Sequence, residues 1–287
     1  MGVIIETPQL FMEITLVSIE SLFVHEKTIP SALKELSEQL ITEQVLKHPI
    51  IVDSDTLVVL DGMHRVAALK NLNLKLAPVC LVDYHNPSIE LFAWYREFGN
   101  GISSTEFTDI ITTETLFTIR SSPSQTAFEL VKNREVQAAL VKGEKSSLLT
   151  SSKPLSIKEV YDEIAKIETL AEQIGYHLRY STESDANESI RSGSRLVLIV
   201  PSLTKKEVLE GALKKEIFAQ KTTRHVVPAR PLFVNIPLSW LSQVNLNDAN
   251  QKLKEYLEKK QIIKKDPGTI INGRRYEESA YLFVDPE

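Results

Sequence analysis

Apolar residues in the first hundred positions come in short runs separated by polar turns, a pattern that predicts alternating strands and helices. Residues 12–19 predict a strand. Residues 30–42 predict a helix opening on Pro30, which is tolerated in a first turn because its missing amide would have no partner there. Residues 49–52 and 57–60 predict two strands joined by the polar turn Asp53-Ser54-Asp55, most simply a hairpin. Directly afterwards Asp61-Gly62-Met63-His64-Arg65 runs into Val66-Ala67-Ala68-Leu69-Lys70, a segment of good helix formers. The local reading is strand, tight turn, helix N-terminus. A strand at 76–84 and an aromatic segment at 91–95 complete the block.

Between Gly99 and Gln125 the composition shifts to Ser and Thr, punctuated by Gly99, Gly101 and Pro123, which puts a domain boundary near residue 100. Further on, Ile157, Val160, Tyr161, Ile164, Ile167, Leu170, Ala171 and Ile174 recur at helical spacing, and Ser156 with Glu159 makes a capping box at the start. Residues 196–200 predict a buried strand, and Thr204 with Glu207 a second capping box opening a helix to about Lys215. A strand at 233–236 and a helix at 250–259 follow, and Asn272-Gly273 suits a type I′ turn before a strand at 276–284.

Composition narrows the class. With 287 residues, 43% hydrophobic and 25% charged, the chain is long enough for two folded domains. The net charge is -5, from 33 Lys and Arg against 38 Asp and Glu, whereas a duplex-binding protein presents a strongly basic surface to phosphates. Nucleic acid is therefore not the expected partner. The single cysteine, Cys80, lies in an apolar run, so no internal disulfide can form and the thiol reads as a buried hydrophobe in a reducing compartment. Met1-Gly2-Val3-Ile4-Ile5-Glu6 lacks a basic leader, and no uncharged stretch approaches a bilayer span, so a cytoplasmic location without membrane contact is expected.

Three segments have residue types suited to phosphate chemistry. In Asp61-Gly62-Met63-His64-Arg65, free amides at a helix N-terminus attract anions, Gly62 permits close backbone approach, and His64 and Arg65 add donors. An Asp-Gly turn capping a helix also occurs for structural reasons alone. In Lys221-Thr222-Thr223-Arg224-His225, an ammonium, two hydroxyls, a guanidinium and an imidazole suffice to surround a polyanion, or to form a solvated polar loop. In His25-Glu26, the carboxylate is of the type that orients an alcohol and accepts its proton. His48, His85 and His177 are scattered, which argues against a dedicated transition-metal site. Trp94 and Tyr95 sit in an apolar stretch, where aromatic residues ordinarily build core. There is no Walker A motif, protein-kinase signature set or Rossmann fingerprint.

In order along the chain, His25-Glu26, Asp61 to Arg65, Trp94 and Lys221 to His225 resemble the free serine kinases of the ParB/sulfiredoxin-like superfamily, represented by an archaeal ADP-dependent enzyme and by the serine kinase of staphyloferrin B biosynthesis. The late block through Pro228 looks like the archaeal enzyme. Lys47-His48-Pro49-Ile50 and the C-terminal extension look more like the siderophore-pathway member. The resemblance implies an α+β fold: a ParB/sulfiredoxin-like nucleotide-binding domain over 1–100, and a larger mixed α/β domain over 101–287 with an extension from about 243, the active site lying in the cleft between. It implies phosphorylation of the side-chain hydroxyl of free L-serine to O-phospho-L-serine, with ATP or ADP as donor and Mg²⁺ as cofactor.

By the same resemblance Glu26 is the catalytic base, and Asp61 is essential near the transferred phosphate or its Mg²⁺. Gly62, Met63, His64 and Arg65 hold the nucleotide phosphates together with Lys221, Thr222, Thr223 and Arg224, and Trp94 and His225 shape the amino-acid pocket. Met63 stands where the archaeal enzyme has His, which keeps a backbone amide and removes one side-chain donor. Sulfiredoxins place a reactive cysteine in this turn, and the chain has none there. The alternative is a ParB-like, nucleotide- or ligand-responsive transcriptional regulator without kinase activity.

Overall fold

Residues 11–18 alternate exposed and buried side chains, with Met12, Ile14 and Leu16 almost fully buried, and in the computed structural model they form the strand Phe11–Ser18. The structure describes residues 2–99, 104–243 and 245–286; Gly101, one of the expected boundary markers, lies outside them. Two compact units emerge, and neither is continuous in sequence. The first gathers Met1–Glu90, Lys205–Ile217 and His225–Glu287, and the second Leu91–Thr204 with Phe218–Arg224.

The first unit is built on a five-stranded mixed sheet in the order Val3–Glu6, Phe11–Ser18, Leu76–Val82, Ile50–Asp53 and Val59–Asp61. Ile50–Asp53 and Val59–Asp61 form the expected antiparallel hairpin, and Ile50–Asp53 runs parallel to Leu76–Val82. Its apolar residues are buried along almost every strand, Cys80 included, and burial pushes that thiol up to about 12, so it stays protonated and inert. Where the short edge strand stops, Asn250 continues the ladder. Its Oδ1 accepts from Leu16 N at 2.8 Å and its Nδ2 donates to Leu16 O at 3.0 Å, which docks the helix Leu246–Leu257. A smaller sheet pairs Ala229–Leu232 in parallel with Ser279–Val284, and Ser279–Val284 antiparallel with Gln261–Lys265. Asn272 and Gly273 both have positive φ, 49° and 78°, as a type I′ turn requires.

The second unit carries a six-stranded antiparallel sheet in the order His177–Ser181, Tyr95–Gly99, Leu196–Ile199, Ala138–Lys142, Lys145–Thr150 and Thr118–Pro123. The helix Ile157–Gln173 opens on the anticipated capping box, with Ser156 and Glu159 bonded reciprocally.

One local expectation, the strand at 233–236, needs correction, and two other segments take on definite structure. The Ser/Thr-rich stretch after residue 103 forms the helix Ser104–Glu114 and the strand Thr118–Pro123, because Phe107 and Ile111, four apart, supply a fully buried face. The strand expected at 233–236 instead ends at Leu232, since Phe233 and Asn235 take left-handed φ of 56° and 55°. Trp94 lies between the strands Glu90–Phe92 and Tyr95–Gly99. Among the described residues no helix is long and apolar enough to cross a membrane.

Candidate functional site

The strand Val59–Asp61 feeds directly into the helix Met63–Asn71, and Gly62 makes the turn with φ 114°, a conformation that side chains oppose. Gly62 has a second use. A Cβ there would sit 2.9 Å from Arg65 Nε, so its absence lets the Arg65 guanidinium fold back over the turn. That guanidinium donates from Nη1 to the carbonyls of His48, at 3.1 Å, and Pro49, while Nη2 lies 3.2 Å from Asp61 Oδ2. Asp61 Oδ2 also accepts from Arg230 Nη1, and Arg230 Nε donates to Glu278 Oε1 at 2.7 Å. Two guanidiniums and two carboxylates are thus linked in one chain. Burial alone would raise the Asp61 carboxyl, but Arg230 and Arg65 outweigh it and hold the group well below the usual carboxylate range.

Two histidines brace the strand that ends in Asp61. His25 is hydrogen-bonded to the backbone of Val59, and His225 to that of Leu60. Their rings meet edge to face at 5.7 Å, and the fully buried Tyr84 places its hydroxyl 2.8 Å from His225 Nε2. Glu26, half-buried, follows His25 in a loop stapled to the same elements. Phe23 N donates to Leu57 O at 3.1 Å, Val59 N donates to Phe23 O at 2.9 Å, and Ile29 N donates to His64 Nε2 at 2.9 Å. The last bond makes Nε2 an acceptor and so puts the neutral ring's proton on Nδ1. His64 therefore anchors the loop that carries Glu26, a role its place in the turn does not reveal.

Burial carries His25 and His48 down to about 4 and His225 down to about 3, from an ordinary value of 6.5. All three are neutral in the fold, whereas the unfolded chain takes up their protons as pH falls through 6.5. Stability is therefore level above about pH 6.5 and declines toward pH 4, by up to about 1.4 kcal/mol per pH unit for each histidine. Thermal unfolding should show a clear fall in midpoint from pH 7 to pH 5. An unchanged midpoint would mean that these rings are not held neutral.

In the second unit, the segment Phe218–Arg224 is tied down from inside. Arg96, fully buried and paired with Glu168 at 2.6 Å, donates to Gln220 O at 3.4 Å, and Tyr161 Oη donates to Pro201 O at 2.6 Å with Thr222 O at 3.4 Å. Thr222 is fully buried and commits its hydroxyl proton to Ala219 O at 2.8 Å, which makes it a loop-shaping residue; Thr223 is also buried. Lys221 takes left-handed φ and sets its Nζ 5.0 Å from the Trp94 ring centroid. Arg224 stacks over Phe92 at 4.7 Å and Trp94 at 5.8 Å, so the two cations and Trp94 form one cation–π group.

The structure thus gathers Glu26, Asp61, Gly62, Met63, His64, Arg65 and His225 in the first unit, and Trp94, Lys221, Thr222, Thr223 and Arg224 in the second. Sequence reasoning missed Arg230, Glu278, Phe92 and Tyr84. Arg230 did leave a signal, as a lone charge in the apolar run 226–234.

No family-wide sequence profile matches the chain. It is 30% identical over 243 residues to the ATP-dependent L-serine kinase of Staphylothermus marinus, covering 82% of this chain and 93% of that one. It is 27% identical to the ADP-dependent L-serine kinase of Thermococcus kodakarensis, covering 82% of this chain and 96% of that one. A solved free serine kinase, a glutamate-to-alanine variant in complex with ADP, superposes with a TM-score of 0.68 at 25% identity, covering 79% of this chain and 93% of the other. Fold and comparisons together define an α+β protein of the ParB-like type, in the class of phosphotransferases with an alcohol group as acceptor. The chain belongs to the free L-serine kinase family.

Proposed function

We propose that the protein phosphorylates the side-chain hydroxyl of free L-serine, with a nucleotide donor and Mg²⁺. The observation that carries this reading is the stapling of the loop that includes Glu26 to the elements of the Asp61–Arg65 turn, which joins a segment bearing a carboxylate to a cationic, amide-rich helix N-terminus. That pairing is what transfer to an alcohol needs: a base for the departing proton and fixed positive charge for the polyphosphate.

In this reading the N-terminal amides of the helix Met63–Asn71, with Arg65 and Arg230, bind the donor's phosphates. Glu26 orients the serine hydroxyl and accepts its proton as the oxygen attacks the terminal phosphorus in line. Mg²⁺ is ordinarily held by one or two carboxylates plus phosphates and water, and when bound it would offset charge on the transferring group. Asp61 fits that role, since its side chain is 38% exposed against 12% for Glu278. His225, whose backbone partner Leu60 lies on the strand that ends in Asp61, shapes the amino-acid side of the site. The regulator reading is not favoured, because the relatives that match over most of the chain carry kinase names.

Both donors are live candidates, since one relative is named for ATP and another for ADP. The test is incubation with Mg²⁺, ATP or ADP, and either L-serine or L-threonine, with products read by mass spectrometry. O-Phospho-L-serine should accumulate with at least one donor and exceed phosphothreonine. Absence of phosphorylated serine with both donors would overturn the assignment.

A further inference from the structure

Arg230 lies on Ala229–Leu232, a strand whose residues are all buried, and its guanidinium is held at two nitrogens by two different carboxylates. Asp61 alone cannot neutralise both arginines that share its Oδ2, and Arg274 adds a further positive charge nearby; Glu278 supplies the second anion. The backbone enforces this pairing. Ser279 N donates to Pro228 O at 3.1 Å and Arg230 stands in register with Ala280, so Glu278 is delivered to the guanidinium by the ladder that docks Ser279–Val284. Both side chains are nearly buried, at 11% and 12% exposure, where an ion pair is screened little and its geometry is well defined.

We propose that Glu278 is a positioning residue for the phosphoryl donor, acting through Arg230, whose guanidinium it holds against the Asp61–Arg65 pair. This rests on the donor phosphates binding at the Asp61–Arg65 turn. A guanidinium fixed at Nε by one carboxylate has one orientation left for its remaining nitrogens, and preorganisation of that kind is what a phosphate-binding arginine requires. When phosphates compete with Asp61 for Arg65 and Arg230, Glu278 keeps Arg230 in place. The C-terminal segment, which reads in sequence as an appendage, thereby becomes part of the donor site.

The test is a double-mutant cycle on ADP affinity, read by calorimetry on the full chain: native, Glu278→Gln, Arg230→Met and the pair. Glu278→Gln should weaken ADP binding by about five- to twentyfold, and Glu278→Asp should recover part of the loss. Adding Glu278→Gln to Arg230→Met should change nothing further. In turnover assays the nucleotide KM should rise while the serine KM stays within about twofold. Native ADP affinity in Glu278→Gln, with only a lower unfolding temperature, would overturn the proposal, as would an undiminished effect in the Arg230→Met background. If Glu278→Gln does not fold, Glu278→Asp is read by the same two criteria. Because ADP binding is measured without an acceptor, the cycle decides this point even if the native protein makes no phosphoserine, an outcome that would overturn the proposed reaction and leave donor binding to be read on its own.

Discussion

Glu26→Gln should retain nucleotide affinity within about twofold of native while phosphoserine formation falls by about 10²–10⁴-fold, the range that general base catalysis commonly supplies. The substitution keeps the shape of the side chain and removes its negative charge, and with it the capacity to take a proton. The loop should not move, because its anchors are main-chain amides: Phe23 N on Leu57 O, Val59 N on Phe23 O, and Ile29 N on His64 Nε2. Calorimetry with ADP and steady-state turnover on the same preparation separate the two effects. Turnover above about a tenth of native would remove Glu26 from the proton-transfer step.

Asp61→Asn should be more damaging overall, because it acts on chemistry and fold together. The neutral amide leaves Arg65 and Arg230 crowded around an atom that no longer carries charge, and Glu278 remains as the one carboxylate of the cluster to offset their mutual repulsion. Stripping one partner from a fully buried pair costs about 3–5 kcal/mol; the partial exposure of Asp61 reduces the expectation to about 1–3 kcal/mol. Turnover should fall by at least about 100-fold as both guanidiniums lose their common reference point. The pH dependence carries a further signature. With its folded value depressed, the carboxylate contributes stability that is fully present above the unfolded value of 3.8 and fades only as pH falls below it. The stability gap between native and Asp61→Asn proteins should therefore be constant from pH 8 to pH 5, while both decline together because of the buried histidines. A gap that closes near pH 6 would show that Asp61 is not held ionised by the two arginines.

What could be read from the sequence was local. The hairpin, the Asp61–Gly62 turn and the helix after it are legible because strand, positive-φ glycine and helix formers are contiguous. The helix Ile157–Gln173 is legible because its apolar spacing and capping box agree. Ser104–Glu114 was obscured by Thr and Ser residues, whose poor helix propensity is overridden by the buried faces of Phe107 and Ile111. The Arg230 cluster was illegible for another reason. Arg230 lies 169 residues from Asp61 and 48 from Glu278, and no periodicity reports such pairings. His64 was legible as a residue with a purpose, yet its bond to Ile29 N, which ties it to the Glu26 loop, is a property of the folded chain alone.

The polypeptide crosses between its compact units at Glu90–Leu91, Thr204–Lys205, Ile217–Phe218 and Arg224–His225. A gene fragment ending near codon 100 would encode the mixed sheet but omit the stretch that brings Arg230 and the strand paired with it, so half of the arginine cluster would be missing from the product. Fusion partners and split reporters are therefore better kept out of the interior of the chain, and shuffling among relatives should exchange residues 1–90, 205–217 and 225–287 as a matched set.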